Sequence, residues 1–152
     1  MRVEGAYTLP ADPQAVWDVI LSEEALRECI PGCQSLTAAG EDTYDLELSV
    51  GVAAIKGSYS GRVEVVDKEE PTSYRLSIDG KGSKGSVSGT AEFTLSQKKP
   101  GETEVSVVAD AQISGIFSRV GQRMLGGVAR KLMGQFFTCM KKRVQQHAGQ
   151  KA

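Results

Sequence analysis

The sequence has few of the side chains on which most catalytic and metal sites depend. Its 152 residues include one histidine, three cysteines and one tryptophan, and aromatic residues make up 6% of the chain. General acid–base catalysis needs a histidine or a carboxylate with a tuned pKa inside a pocket. The single histidine, His147, lies in a polar C-terminal stretch, where we expect it to be solvated. The sequence therefore gives no candidate catalytic or metal-binding residue.

Long hydrophobic runs are also missing. No stretch approaches the ~18–20 apolar residues that a membrane-spanning helix needs, and no apolar run follows the basic residue near the N-terminus. A chain of this length suits one domain, which would bury about 70% of its unfolded surface. We expect a soluble cytoplasmic protein, with one domain over residues 1–147 and a polar tail over residues 148–152.

The cysteines are too few and too irregularly spaced for a structural role. Cys29 and Cys33 are four residues apart, and Cys139 is far along the chain. This spacing fits neither a disulfide framework nor a zinc ribbon. We therefore expect three reduced thiols without a bound metal.

Acidic residues are missing from the C-terminal part of the chain. None follows Asp110, so that segment carries a charge of +8, while the first 110 residues carry −9. This asymmetry favours contact with anionic lipid or with an acidic partner, and it is equally consistent with a basic segment that complements the rest of its own domain. The candidate contact residues are Arg119, Arg123, Arg130, Lys131, Lys141, Lys142 and Arg143.

Alternating apolar and polar residues predict an antiparallel sheet. The pattern occurs over residues 2–9 and then over 44–50, 55–65, 74–78, 86–95 and 104–113. Each strand is apolar on one face and polar on the other, and every strand carboxylate falls on the polar face. The stretch Gly80–Gly85 resembles a phosphate loop, but it leads into a strand and lacks the full spacing, so we interpret it as a hairpin turn.

Helical signals flank this sheet. Asp12 before Pro13 predicts the start of one short helix, and Ser22 predicts a second that ends at Pro31–Gly32. Beyond Gly115 apolar residues recur every four positions, which predicts a helix of about 30 residues lying across the sheet. The aromatic residues of this helix belong to its apolar stripe, so it offers no stacking platform for nucleic acid.

Small residues recur on the inward face of the predicted sheet. Unfilled interior volume costs about 24 cal/mol per Å³, so either the long helix or a hydrophobic ligand must occupy the space, and the sequence leaves both readings open. If a ligand does, leucine at Gly61 or Gly89 should reduce ligand binding and leave the fold intact. Glycines in the helix, each costing roughly 1 kcal/mol relative to alanine, imply close approach to the sheet, contact with a ligand, or a bendable helix that gates a cavity. The inward small residues are Gly57, Gly61, Gly89, Ala91, Ala109 and Ala111, and the helix glycines are Gly121, Gly126, Gly127 and Gly134.

The alternation of inward and outward residues along the strands, and the apolar repeat along the helices, predict which residues line such a pocket. We expect access where the Ile30–Gly32 turn meets the long helix, and four inward tyrosines, Tyr7, Tyr44, Tyr59 and Tyr74, as polar groups. The predicted lining residues are Trp17, Leu26, Ile30, Leu48, Ile55, Tyr59, Leu76, Phe93, Val107, Phe117, Val120, Met124 and Val128.

The order of elements resembles that of the START-like (SRPBCC, helix-grip) superfamily. Within it, the chain is most similar to the family of the carbon monoxide dehydrogenase G subunit, and the resemblance covers nearly the whole sequence. The resemblance implies an α+β fold in which a curved antiparallel sheet wraps around a long C-terminal helix and leaves an internal apolar cavity. The matching segments are Ile30–Cys33, Gly51–Gly61, Gly82–Gly89, Val120–Leu125 and Phe136–Phe137.

The resemblance also implies a function. It predicts a non-catalytic accessory protein of a molybdenum hydroxylase of the carbon monoxide dehydrogenase type. Such a protein would hold a lipophilic molecule such as a quinone or lipid, without a covalent cofactor, and would help recruit the enzyme to the inner face of the cell membrane. Two alternatives stay open: a START-like cyclase or hydrolase, and a recruitment module with a solid interior.

Overall fold

The computed structural model describes residues 1–52 and 55–151, with side chains up to His147. Seven strands and three helices account for most of this chain, and a single turn of 3₁₀ helix, Ile116–Arg119, precedes the last helix. In chain order the elements are β1 (Arg2–Leu9), α1 (Pro13–Ile20), α2 (Glu23–Cys29), β2 (Cys33–Gly40), β3 (Thr43–Val50), β4 (Gly57–Glu69), β5 (Ser73–Gly82), β6 (Gly85–Lys99), β7 (Glu102–Gly115) and α3 (Gln122–Lys151).

The strands form one antiparallel sheet in the order β1-β7-β6-β5-β4-β3-β2. Chain neighbours pair through short turns from β2 to β7, and β1 joins the sheet beside β7. The tight turn after Gly82 confirms that the glycine-rich stretch is a hairpin. The fold is the predicted START-like α+β arrangement.

Strand β2 was not predicted. Its burial pattern explains why: Leu36 is the one buried residue among the eight, so no apolar alternation marks the segment. Pairing with β3 at the edge of the sheet, rather than burial of a face, holds it in place. The prediction was also wrong about Ile55, which precedes β4, and Ala53 and Ala54 of the same stretch lie outside the described residues.

The two short helices begin at the predicted residues, with different capping. Ser22 caps α2, because its hydroxyl accepts a hydrogen bond of 3.2 Å from the Ala25 N–H. Asp12 occupies the N-cap position of α1 without capping it. Its carboxylate instead accepts hydrogen bonds from the Gly101 N–H (2.7 Å) and from the Gln97 amide (3.0 Å). This aspartate therefore ties the start of α1 to the β6–β7 turn.

The main core lies where α1 and the C-terminal half of α3 pack on the sheet. Tyr7 stacks on Phe137 at 4.2 Å between ring centroids, and Tyr74 lies between Trp17 and Phe93. Burial raises the pKa of Tyr74 well above its ordinary value. Other fully buried members of this core are Leu9, Val16, Ile20, Val105, Met140 and Val144.

A disulfide joins Cys29 at the end of α2 to Cys139 in α3, so the prediction of three reduced thiols was wrong. The two residues are 110 positions apart, and only the packing of α2 against α3 brings their Cα atoms to 5.3 Å. The positions of the two cysteines in the sequence do not indicate that they lie close together in the fold. Cys33 keeps a free thiol, whose pKa burial raises.

Candidate functional site

Cross-strand register arranges the concave face of the sheet into rows that become less buried away from α1. The row of Tyr74, Phe93 and Val107 is buried in the core. Two other rows, which lie farther from α1, are half-buried. They combine apolar side chains with glycine and alanine. We call these two rows the groove: Val63, Ile78, Gly89 and Ala111 in the first, and Gly61, Gly80, Val87 and Ile113 in the second.

The long helix covers the core more completely than the groove. In its C-terminal half, Phe137, Met140 and Val144 are at most 3% exposed, whereas in its first turn Leu125 is 8% exposed and Met124 points to solvent at 59%. Its main packing partners are β1, α1 and α2. The apolar rows of the groove are therefore only partly shielded from solvent.

Two cavities lie toward opposite edges of the sheet, and the first of them shares two residues with the groove. A cavity of about 430 Å³ beside β7 is lined by groove residues Ala111 and Ile113 and by Phe117 and Leu125. A cavity of about 270 Å³ beside β3 is lined by Pro31, Val50 and Leu132, among others. This second cavity lies where access for a ligand was predicted.

Phe117, in the 3₁₀ turn, closes the end of the concave face. Its ring stacks on Tyr59 at 5.7 Å between centroids, and its N–H donates to the Lys84 carbonyl at 3.3 Å. The Tyr59 hydroxyl donates to the carbonyl of Ile55, and burial raises the pKa of this phenol. An aromatic pair thus separates the groove from solvent at this end.

The structure places the predicted lining residues in several different surroundings. Trp17, Phe93 and Val107 belong to the packed core, and Leu26 and Leu76 pack against it. Phe117 is buried with Tyr59 at the other end of the concave face, and Met124 points to solvent, so helical phase was wrong for this methionine. The remaining predicted residues are half-buried: Ile30, Leu48, Ile55, Val120 and Val128.

Several groove residues were left out of the predicted lining. Strand alternation had already placed Val63, Ile78, Val87 and Ile113 on the inward face, but it does not tell how deeply each position is covered. The signal that separates them from core positions is cross-strand register, which the sequence does not contain.

The inward glycines do not simply make space. A Cβ atom added to Gly89 would lie 2.1 Å from the Asp110 carbonyl oxygen, and one at Gly61 would lie 3.2 Å from the Asp79 carbonyl oxygen. Gly89 therefore permits close approach of neighbouring backbone, and the expectation that leucine at Gly89 would leave the fold intact was wrong.

The glycines that were predicted to lie in the long helix, unlike Gly89, have free space around their Cα atoms. A Cβ atom at Gly121, Gly127 or Gly134 would meet nothing within 4 Å, and one at Gly126 would meet only the guanidinium end of Arg130. Close approach of the helix to the sheet thus does not account for them. Contact with a ligand and bending of the helix remain the two explanations.

Carboxylates avoid the concave face, whose ionisable side chains are tyrosines such as Tyr59 and Tyr74. Thr103 is fully buried, and it donates to the Ala11 carbonyl at 2.7 Å. Strand carboxylates lie on the outer face, as Asp45 does beside Arg62 at 2.8 Å, where a hydrogen bond from the guanidinium lowers the pKa of the carboxyl. The rows of the groove carry aliphatic side chains or none, and they are therefore suited to bind apolar matter.

His147 is not solvated as predicted. It is half-buried on α3, and its Nε2 is buried without a hydrogen-bond partner among the described residues. Burial of Val144, one turn earlier, draws this face of the helix toward the core.

The basic residues of the C-terminal segment also divide into two groups. Arg143 is engaged within the domain, because its guanidinium contacts Glu28 at 2.9 Å and Glu24 at 3.4 Å. This ion pair, like the disulfide, joins α2 to α3. The exposed ones are Arg119, Arg123, Arg130, Lys131, Lys141 and Lys142.

Comparison with known proteins identifies the family. The sequence profile of CoxG, the G subunit of carbon monoxide dehydrogenase, matches residues 5–145. The chain belongs to the CoxG family. No curated protein matches the chain. None of the described helices is long and apolar enough to cross a membrane.

Solved structures of relatives share the fold. A conserved protein from Geobacillus kaustophilus is 34% identical, with a TM-score of 0.94 and 96% of each chain covered. A START superfamily protein from Mycobacterium smegmatis is 13% identical, with a TM-score of 0.75 and coverage of 95% of this chain and 97% of that one. An aromatase/cyclase from a Streptomyces species is also 13% identical, with a TM-score of 0.70 and coverage of 97% and 95%. At such identities the last two show the fold alone.

Proposed function

We propose that this CoxG family member is a non-catalytic accessory protein that binds a lipophilic molecule, such as a quinone or a lipid, in the groove. The observation that carries the proposal is the pair of half-buried apolar rows, which contribute Ala111 and Ile113 to a cavity of about 430 Å³. Apolar surface left partly in water gains roughly 25 cal/mol per Å² when a ligand covers it. A ligand would therefore cover the apolar surface of the groove that α3 leaves partly exposed.

The partner in this proposal is a molybdenum hydroxylase of the carbon monoxide dehydrogenase type. Family membership supports it, since the family takes its name from a component of that enzyme. A quinone in the groove would suit this partner because it accepts electrons and dissolves in lipid. The exposed basic residues of α3 support recruitment of the enzyme to an anionic membrane.

The lack of a histidine or a carboxylate on the described rows of the groove favours binding over catalysis. Acid–base chemistry on a bound ring would need a group such as histidine or a carboxylate on the concave face. The described residues place none on the rows of the groove, where the side chains are aliphatic or absent.

Organic extraction of the purified protein, followed by mass spectrometry, tests the proposal. We expect a quinone or lipid in near-stoichiometric amount that a heat-denatured control lacks. The protein should also become loaded when it is incubated with a short-chain benzoquinone. An extract that stays empty after this incubation would favour the recruitment module with a solid interior, while chemical conversion of an added aromatic substrate would favour the enzyme.

A further inference from the structure

A short segment between two glycines covers the end of the groove nearest Tyr59. It runs from Gly115 to Gly121 and contains the 3₁₀ turn; we call it the flap. Gly115 has φ of +79°, and a Cβ atom there would lie 2.6 Å from the Cα of Gly85, so the chain leaves β7 through a conformation that favours glycine. At the other end Gly121 has open space around it. The flap thus has a glycine at each end.

The two sides of the flap differ in chemistry. Phe117 points inward, is 5% exposed and stacks on Tyr59, whereas its neighbour Ile116 points outward and is 53% exposed. Met124, on the first turn of α3, is 59% exposed. Ile116 and Met124 are the large hydrophobic residues that the described part of the chain exposes. The same short turn therefore carries Phe117, which covers one end of the groove, and Ile116, which is exposed to solvent.

The charged residues near Ile116 and Met124 in the sequence are all basic. Arg119 and Arg123 are exposed and lie close to them along the chain, and no acidic residue follows Asp110. Exposed apolar side chains flanked by arginine are typical of surfaces that enter the interface of an anionic bilayer, where apolar burial and attraction to headgroups act together. This combination favours a lipid surface over an apolar protein partner.

We propose that the flap docks on an anionic bilayer and that docking opens the groove. Ile116 and Met124 enter the interface, while Arg119 and Arg123 contact lipid phosphates. Because Ile116 and Phe117 are adjacent in one turn, drawing Ile116 outward withdraws Phe117 from Tyr59 and exposes the groove to the bilayer. This inference rests on the proposed function, since an open groove matters only if a lipophilic molecule enters it.

Vesicle sedimentation with the full chain tests the docking. We expect wild type to bind vesicles of equal parts phosphatidylglycerol and phosphatidylcholine, and to bind pure phosphatidylcholine weakly. Substituting Ile116→Ser together with Met124→Ser should weaken binding about tenfold or more. Both residues are exposed, so thermal melting should show an unchanged fold.

Two double variants that remove the same charge test whether the flap itself contacts the bilayer, or whether any basic residue attracts the protein to anionic lipid equally well. Arg119→Gln with Arg123→Gln should weaken binding to the anionic vesicles severalfold. Lys141→Gln with Lys142→Gln removes the same charge from the far end of α3 and should change binding little. Equal losses from the two pairs, or unchanged binding by the serine double variant, would overturn docking through the flap.

Transfer of a long-tailed benzoquinone from vesicles tests the opening. The Ile116→Ser, Met124→Ser variant should load several times more slowly than wild type, while its affinity for a short-chain benzoquinone in solution stays the same. Equal loading rates would overturn the link between docking and opening. Failure of both proteins to bind the short-chain benzoquinone would instead overturn the proposed function.

Discussion

The disulfide between Cys29 and Cys139 should dominate the response of this domain to reducing agents. The bond closes a loop with a sequence separation of 110 residues. In the chain-entropy account, opening a loop of that length lowers the free energy of unfolding by about 4.7 kcal/mol, and native disulfides in practice contribute about 2–5 kcal/mol. For a domain of this size each kcal/mol shifts Tm by roughly 2–4 °C, so reduction should lower Tm by about 10 °C.

The other link between α2 and α3 cannot replace the bond. Arg143 contacts Glu24 and Glu28, but the carboxylates are 80% and 56% exposed, and such pairs contribute at most about 1 kcal/mol. We therefore expect α2 to loosen from α3 on reduction. Melting followed by circular dichroism, with and without a dithiol reductant, measures the effect.

The third cysteine provides the control. A Cys33→Ser variant should melt like wild type and should still lose about 10 °C on reduction. A Cys29→Ala, Cys139→Ala double variant should melt at the lower temperature regardless of reductant. The reasoning would be refuted if wild type melted at the same temperature in both conditions, or if denatured, unreduced protein showed three alkylatable thiols.

Three further predictions follow from glycine geometry and from burial. Gly127→Ala with Gly134→Ala should raise the free energy of unfolding by about 1–2 kcal/mol in chemical denaturation, because the added methyl groups meet open space; a loss of stability would contradict this. Gly89→Ala should instead lower it, because the Cβ atom collides with the Asp110 carbonyl, and an unchanged midpoint would count against that contact. The raised pKa of the buried Tyr74 phenol means that its contribution to stability is full below its ordinary pKa of 10.0 and is lost as pH rises toward the folded-state pKa. Alkaline titration at the phenolate absorbance band should show this group ionising only as the domain unfolds, and wild type and Tyr74→Phe should otherwise titrate alike.

The sequence was most informative where one face of an element is buried and the other is wet. Six strands and the long helix follow from such periodicity, because burial of one face imposes a regular pattern. Strand β2 was not predicted because Leu36 is its single buried residue, so the strand has no alternation of apolar and polar residues. Edge pairing through backbone hydrogen bonds places this segment, and backbone pairing leaves little mark on side-chain choice.

The site was harder to predict because it depends on tertiary relations. Met124 was assigned the helical phase of an inward residue, yet it is exposed, and the next residue, Leu125, is the buried one in the first turn of α3. The role of Gly89 depends on a carbonyl oxygen of the neighbouring strand, and the disulfide depends on the meeting of two helices. Parity gives the face of a strand on which a residue lies; register and helix placement decide whether that residue is core, groove or surface.

The central claim is that the groove binds a lipophilic molecule, and a calorimetric titration with a short-chain benzoquinone tests it most directly. Ala111 points into the groove from β7, and Val108 lies on the opposite face of the same strand. We expect Ala111→Phe to weaken binding at least about tenfold, which is 1.4 kcal/mol, because the added ring occupies the groove. The matched Val108→Phe variant should bind like wild type. Equal affinity in all three proteins, or no binding by any of them, would contradict the account.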